Sequence, residues 1–221
     1  MNTNLTEIVF VIDESGSMFS LTSDTIGGFN SLVEEQKHAA GEAKISLVLF
    51  NDSHRTVYDS VDVAVVPTLD HYTYRPGGCT ALLDALGDTI NKVGVRLAST
   101  PENERPGKVM FVIITDGYEN ASREFTKQKV RDMIEHQKTK YSWQFMFLGA
   151  NMDAVSEAAT YGITRDCAAT YAATNIGTEA LYNAVSKSVC DYRATGSISS
   201  DWKNDLGTVD DYCLTAADSK H

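Results

Sequence analysis

The sequence predicts an α/β fold: a doubly wound, mainly parallel six-stranded sheet with one antiparallel edge strand and helices on both faces. Three observations carry this expectation. Short, fully apolar runs alternate with stretches whose apolar residues recur at helical spacing, the pattern of parallel strands buried on both sides by helices. Two of those runs, Ile8 to Ile12 and Val109 to Ile114, stop abruptly near a carboxylate, Asp13 and Asp116. One connection, Asn51-Asp52-Ser53, is too short for the crossover that a parallel return requires, so the strand after it must be antiparallel.

The elements follow in order. Ile8 to Ile12 is the first strand, and Ile26, Phe29, Leu32 and Val33 mark the helix behind it, with Glu34, Glu35 and Lys37 on its other faces. Gly41 punctuates before the strand Lys44 to Phe50, and the antiparallel neighbour runs from Thr56 through Tyr58, Val61, Val63 and Val65 to Val66. The turn Pro76-Gly77-Gly78-Cys79-Thr80 opens a helix with Leu82, Leu86, Ile90 and Val93 on one side. The strand Lys108 to Thr115 comes next, then a helix around Val130, Met133, Ile134 and Gln137. Trp143 to Leu148 is a strand, broken at Gly149-Ala150-Asn151, and a short helix around Val155, Ala158 and Ala159 follows. A weak last strand, Cys167 to Tyr171, precedes a final helix marked by Ile176, Leu181, Val185 and Val189. Residues 1–193 therefore form one domain. Residues 194–221, rich in Ser, Thr, Gly and Asp, form an extension that lies on the domain or is partly mobile, with Trp202, Leu206, Val209, Tyr212 and Leu214 as its anchors.

Bulk properties narrow the function. A chain of 221 residues with 43% hydrophobic content can bury a full core. Its net charge of −11 argues against nucleic acid, whose binders carry a basic stripe that is missing here. The four cysteines, Cys79, Cys167, Cys190 and Cys213, form no CxxC pair and suggest neither a zinc site nor a disulfide framework. The first apolar run is too short for a signal peptide or a membrane span. These features predict a soluble, reduced, cytoplasmic protein, monomeric in isolation.

Functional chemistry concentrates at the ends of the strands. Asp13-Glu14-Ser15-Gly16-Ser17 offers one carboxylate and two hydroxyls at a spacing that lets all three face one point. In a parallel sheet that point lies beyond the C-terminal edge, where open α/β folds place ligands. A second loop adds Thr80 and a third adds Asp116. If the strand order reverses between the first and fourth strands, both carboxylates meet at one switch point. Short oxygen donors of this kind suit a hard cation such as Mg²⁺ better than a soft transition metal.

Asp13-x-Ser15-x-Ser17, Thr80 after a Gly-Gly turn and the aspartate of Thr115-Asp116-Gly117 together resemble the metal-ion-dependent adhesion site of von Willebrand factor A domains. The order of elements matches as well, so the resemblance spans roughly residues 6–193. Thr115 to Ser122 and Phe147 to Asn151 are also similar to stretches of small cytosolic A domains from bacteria and phages, including those of tellurite-resistance and stress operons. The resemblance implies that Ser15, Ser17 and Thr80 ligate Mg²⁺ (or Mn²⁺ or Ca²⁺) directly, while Asp13 and Asp116 ligate it or act through water. It further implies a last ligand from outside: water when free, an Asp or Glu of a protein partner when bound.

Each residue also has a plainer reading. Asp13 and Ser15 could cap a helix, Thr80 is a natural N-cap, and Asp-Gly is a common turn pair. Glu14 and Glu119 read as solvated rim residues. Three independent turns offering the same donor type favour the metal. The competing class is a Mg²⁺-dependent phosphatase of the haloacid dehalogenase type with Asp13 as nucleophile. That chemistry needs a second aspartate two positions on, where Ser15 stands. No nucleophile elbow, Walker loop or GxGxxG occurs, and no His pairs with a Ser or Cys at a recognisable spacing. A non-enzymatic binding module is therefore expected, and an RNA-associated A domain is disfavoured by charge.

Overall fold

The computed structural model describes residues 1–206. Six strands form one sheet: β1 (Asn2–Asp13), β2 (Glu42–Phe50), β3 (His54–Asp62), β4 (Pro106–Thr115), β5 (Gln144–Ala150) and β6 (Ala168–Tyr171). Their order is β3-β2-β1-β4-β5-β6, with β3 the antiparallel edge and every other pair parallel. The chain winds outward from β1 through α1 (Thr22–His38) to β2 and β3. It then crosses back through α2 (Leu82–Ser99) to β4 on the other side of β1. This reversal places the switch point between β1 and β4, the condition under which Asp13 and Asp116 meet at one sheet edge.

The central strands are buried on both faces and divide their side chains by parity. Ile8, Phe10 and Ile12 pack with α1 and α5 (Asn175–Thr195), through Phe29, Leu32, Leu181 and Val185. Val9 and Val11 pack on the opposite face with α2, α3 (Lys127–Tyr141) and α4 (Ala154–Thr160), through Leu86, Ile90, Val130 and Ile134. A Cβ on Gly28 would overlap the Tyr182 ring, so α1 and α5 approach as closely as they do because position 28 lacks a side chain.

Several boundaries differ from the sequence reading. β3 ends at Asp62, and Val63–Val65 form a 3₁₀ turn held by the Asp62 side chain, which accepts from the Ala64 N–H at 2.9 Å. Val63 and Val66 are buried while Val65 is 70% exposed, an apolar spacing that imitates a strand without pairing as one. Cys167 belongs to a 3₁₀ turn before β6. Ile176 does not share the buried face of α5 and stands exposed at its start. Beyond α5, Trp202 and Leu206 are buried against the α1/α5 face, and the Trp202 indole N–H donates to the Asp166 carbonyl at 2.7 Å. Val209, Tyr212 and Leu214 lie outside the described residues. No helix of the described residues is long and apolar enough to cross a membrane.

Candidate metal centre

Three loops meet at the C-terminal edge of the sheet beside the switch point, two leaving β1 and β4 there and the third returning from antiparallel β3 to α2. Their backbones are laced together. Gly16 N–H donates to the Gly78 carbonyl at 3.1 Å, and Gly77 N–H donates to that of Glu14 at 2.8 Å. Asn120 N–H donates to the Thr80 carbonyl at 3.0 Å, while the Asn120 side chain accepts from Thr80 N–H at 2.9 Å. Gly78 has φ +80°, the left-handed region, and the Asp52 carboxylate occupies the space where its side chain would stand. The loop carrying Thr80 is thus fixed by glycine at 78 and by its neighbours on either side.

The five expected residues converge here. Asp13, at the end of β1, is fully buried; its carboxylate accepts from Ser15 N–H at 2.7 Å and from the Thr115 hydroxyl at 2.7 Å. The Ser15 and Ser17 hydroxyls are 3.2 Å apart, one buried and the other exposed. A Cβ on Gly117 would lie 3.4 Å from the Thr80 hydroxyl oxygen and 3.9 Å from that of Ser17. Glycine at 117 therefore keeps open a cradle onto which the first two loops turn hydroxyls, beside Asp116 of the third. Asp116 accepts a hydrogen bond from the Asn151 amide. Burial raises the pKa of the Asp13 carboxyl against the hydrogen bonds from Thr115 and Ser15. Burial also raises that of Asp116, against the bond from Asn151, and the charge of Asp13 adds to the rise. Two buried carboxylates, both held above the ordinary carboxylate range by burial, suit a shared cation.

The donor set is all oxygen. No cluster of three or more His, Cys, Asp or Glu that could hold a metal occurs among the described residues, so a cation here would rest on hydroxyls as well as carboxylates. Such donors fit a hard divalent ion.

Two assignments are corrected. Glu14 is not a solvated rim residue: it is 5% exposed, and its carboxylate accepts from the Arg55 guanidinium at 2.9 Å. Arg55 also donates to the Thr73 carbonyl, and the buried Tyr74 hydroxyl donates to the Asp13 carbonyl at 2.7 Å. This pins the loop carrying Tyr72 over the first strand. Glu119 is not a rim residue either. It accepts from Leu83, Ala121 and Ser122 N–H at 2.9, 2.9 and 2.7 Å, and from the Ser122 hydroxyl at 2.8 Å. The N-cap position of α2 is Ala81, which has no capping side chain, so Glu119 and Ser122 from the third loop do the work expected of Thr80. Sequence reasoning gave Thr115, Asn151 and Tyr74 no role. Only for Thr115, inside the Thr-Asp-Gly run, was a signal present.

Each of the three loops also carries an exposed aromatic side chain, Phe19 (75%), Tyr72 (82%) and Tyr118 (54%).

Comparison with known proteins agrees with this architecture. The model of the von Willebrand factor type A domain family matches residues 7–184. Among solved structures, proximal thread matrix protein 1 from the mussel byssus, with a zinc-occupied MIDAS motif, aligns with TM-score 0.58 at 18% identity over 84% of this chain and 46% of its own. The pilus adhesin SpaC from Lactobacillus rhamnosus GG aligns with TM-score 0.64 at 14% identity over 86% and 30%. The vWF domain of the pilus tip protein Mfa5 from Porphyromonas gingivalis aligns with TM-score 0.62 at 10% identity over 90% and 99%. At these identities the likeness is one of fold. The chain spans about half the length of the first structures it matches. Among curated proteins none matches.

Proposed function

Because this chain belongs to the von Willebrand factor type A domain family, we propose that it is a divalent-metal-dependent protein-binding module with no turnover of its own. The observation that carries this reading is the convergence of Asp13, Ser15, Ser17, Thr80 and Asp116 on the cradle left open by Gly117. Ser15, Ser17 and Thr80 would ligate the cation directly, with Asp13 and Asp116 ligating it or acting through water. The cation, Mg²⁺ for preference, supplies an electrophilic centre, since only two protein carboxylates offset its charge. An Asp or Glu of the partner completes its coordination, a charge-assisted contact in a desolvated spot. The exposed Phe19, Tyr72 and Tyr118 supply an apolar collar, so the partner's acidic residue is flanked by apolar side chains.

The hydrolase alternative lacks its parts. Asp13 is fully buried and held by two hydrogen bonds, a poor nucleophile, and Ser15 stands where a proton donor is needed. A cytoplasmic setting belongs to this reading, as do the small bacterial or phage A domains; the free thiols of Cys79, Cys167 and Cys190 favour that setting. A monomeric state in isolation and a division into a domain at 1–193 and an extension after it are part of the same proposal.

The test is calorimetric titration with Mg²⁺ and Mn²⁺ of wild type, Asp13→Ala and Asp116→Ala. Two carboxylates and an open position predict a wild-type Kd on the order of 0.1 to 1 mM for Mg²⁺, with binding lost in both variants. Unchanged cation binding in both would overturn the site.

A further inference from the structure

At the opposite edge of the sheet, residues of α2, α3 and the start of β4 line a cavity of about 530 Å³. That is the size of a small-molecule site, roughly 300 to 1,000 Å³. Ile90, Leu97, Val109 and Trp143 form its apolar walls, and all four are nine-tenths or more buried. Val95 and Tyr141, also in its lining, are 69% and 52% exposed, so the cavity opens to solvent past apolar side chains.

Its charge is the opposite of the molecule's. The chain carries 30 Asp and Glu against 19 Lys and Arg, yet no acidic residue lines this cavity, while Arg105 and Lys140 do. Lys140 makes no ion pair among the described residues; its ammonium lies over the Tyr141 ring, 5.4 Å from the centroid. An apolar interior with a cationic rim selects a molecule that is apolar at one end and anionic at the other. A neutral hydrophobe would leave the rim unused, and a cation would be repelled by it.

We propose that this cavity is a second binding site, for a small aryl or alkyl carboxylate, its body between Trp143 and the α2 side chains and its carboxylate at Lys140 and Arg105. The site is independent of the metal centre, which lies at the other end of the strands.

Two residues make it testable. Gly94 sits in α2 on the cavity wall, and a Cβ there meets nothing nearer than the Gln137 amide at 3.8 Å, so Gly94→Leu fills the space while improving the helix. Trp143 lines the cavity and Trp202 does not, so the two indole N–H peaks of a ¹⁵N-labelled protein give a reporter and an internal control. The titrants are 4-phenylbutyrate, 4-phenylbutanol and 4-phenylbutylamine, alike except for the head. The butyrate is expected to move the Trp143 peak saturably and leave Trp202 in place, binding at least tenfold more tightly than the alcohol or the amine. Lys140→Glu should weaken butyrate at least tenfold without weakening the alcohol, and Gly94→Leu should abolish the shift. Equal binding of alcohol or amine, no saturable shift with millimolar butyrate, or full binding by Gly94→Leu would each overturn the proposal. Lys140 is exposed, so its variant tests the charge even if the filled helix misfolds.

Discussion

Asp13 shows what the site costs the fold. A carboxylate that is fully buried at the end of a core strand, with Asp116 close by, is held above its ordinary pKa by burial. The sign follows from linkage. A raised folded-state pKa favours folding when the group is protonated, below the usual carboxylate range, and that contribution is lost as pH rises through the raised value. In metal-free buffer Asp13→Asn should therefore come closest to wild type in thermal stability below the usual carboxylate range and exceed it once the pH has risen through the raised value, as at pH 7. The amide can still accept from Ser15 N–H and can donate to the Thr115 hydroxyl, so the variant keeps its contacts. Saturating Mg²⁺ should reverse the ranking, because only wild type gains from binding. Melting curves across pH, with and without metal, decide this; a variant less stable than wild type at pH 7 without metal would refute it. Glu7, also fully buried, is treated differently: it is paired with the Arg96 guanidinium and accepts from Ser46 at 3.1 Å, so its charge is met inside the protein. The cradle carboxylates have no basic partner of that kind among the described residues.

At the scale of the element, the start of α2 separates two readings of Thr80. Its first-turn N–H groups are satisfied by Glu119 and Ser122, with Leu83 N–H to Glu119 at 2.9 Å and Asp84 N–H to Ser122 at 3.1 Å. The Thr80 hydroxyl is left turned toward Gly117. Thr80→Ala should then cost less than about 1 kcal/mol of stability, whereas Glu119→Ala should cost about 1 to 2 kcal/mol by orphaning the cap. Metal affinity should move the other way, falling in Thr80→Ala far more than in Glu119→Ala. Chemical denaturation beside a Mg²⁺ titration of both variants checks the pair, and a stability loss in Thr80→Ala equal to that of Glu119→Ala would restore the capping role. That Thr80 sits on a glycine turn before a helix was readable from sequence. That its capping duty had passed to a residue nearly forty positions later was not, because Glu119 reaches α2 only through the adjacency in space of the loops after β3 and β4.

The whole molecule carries −11, so an acidic partner is repelled at long range and attracted only where a cation sits. Added salt should weaken the complex little, or speed its formation by screening that repulsion. Chelation should abolish it, since the partner's carboxylate would then face Asp13 and Asp116 directly. A pull-down in Mg²⁺ at low and moderate salt, repeated in EDTA, distinguishes the cases; a complex that survives EDTA and dissolves in moderate salt would mean an ordinary charged interface. The mainly parallel sheet and its antiparallel edge followed from local pattern, since connection length and two-sided burial leave few arrangements open; the strand order, on which the switch point depends, came from the structure. The apolar run Val61 to Val66 misled because Val61, Val63 and Val65 alternate as they would in a strand, whereas the buried pair, Val63 and Val66, has the three-residue spacing of a 3₁₀ turn.

From the sequence alone came the alternation of strands and helices, the edge at which the chemistry gathers, and the five oxygen donors Asp13, Ser15, Ser17, Thr80 and Asp116. Each is written in a short stretch of chain, where periodicity and turn chemistry act. Only the tertiary structure decided that Gly117 leaves the cradle open, that Glu14 and Glu119 are committed to Arg55 and to the start of α2, and that Phe19, Tyr72 and Tyr118 stand exposed. The cavity between α2 and α3 belongs with these. Such features depend on distances between segments far apart in the chain, and those distances are set by how the two helical layers pack on the sheet, which no local pattern records.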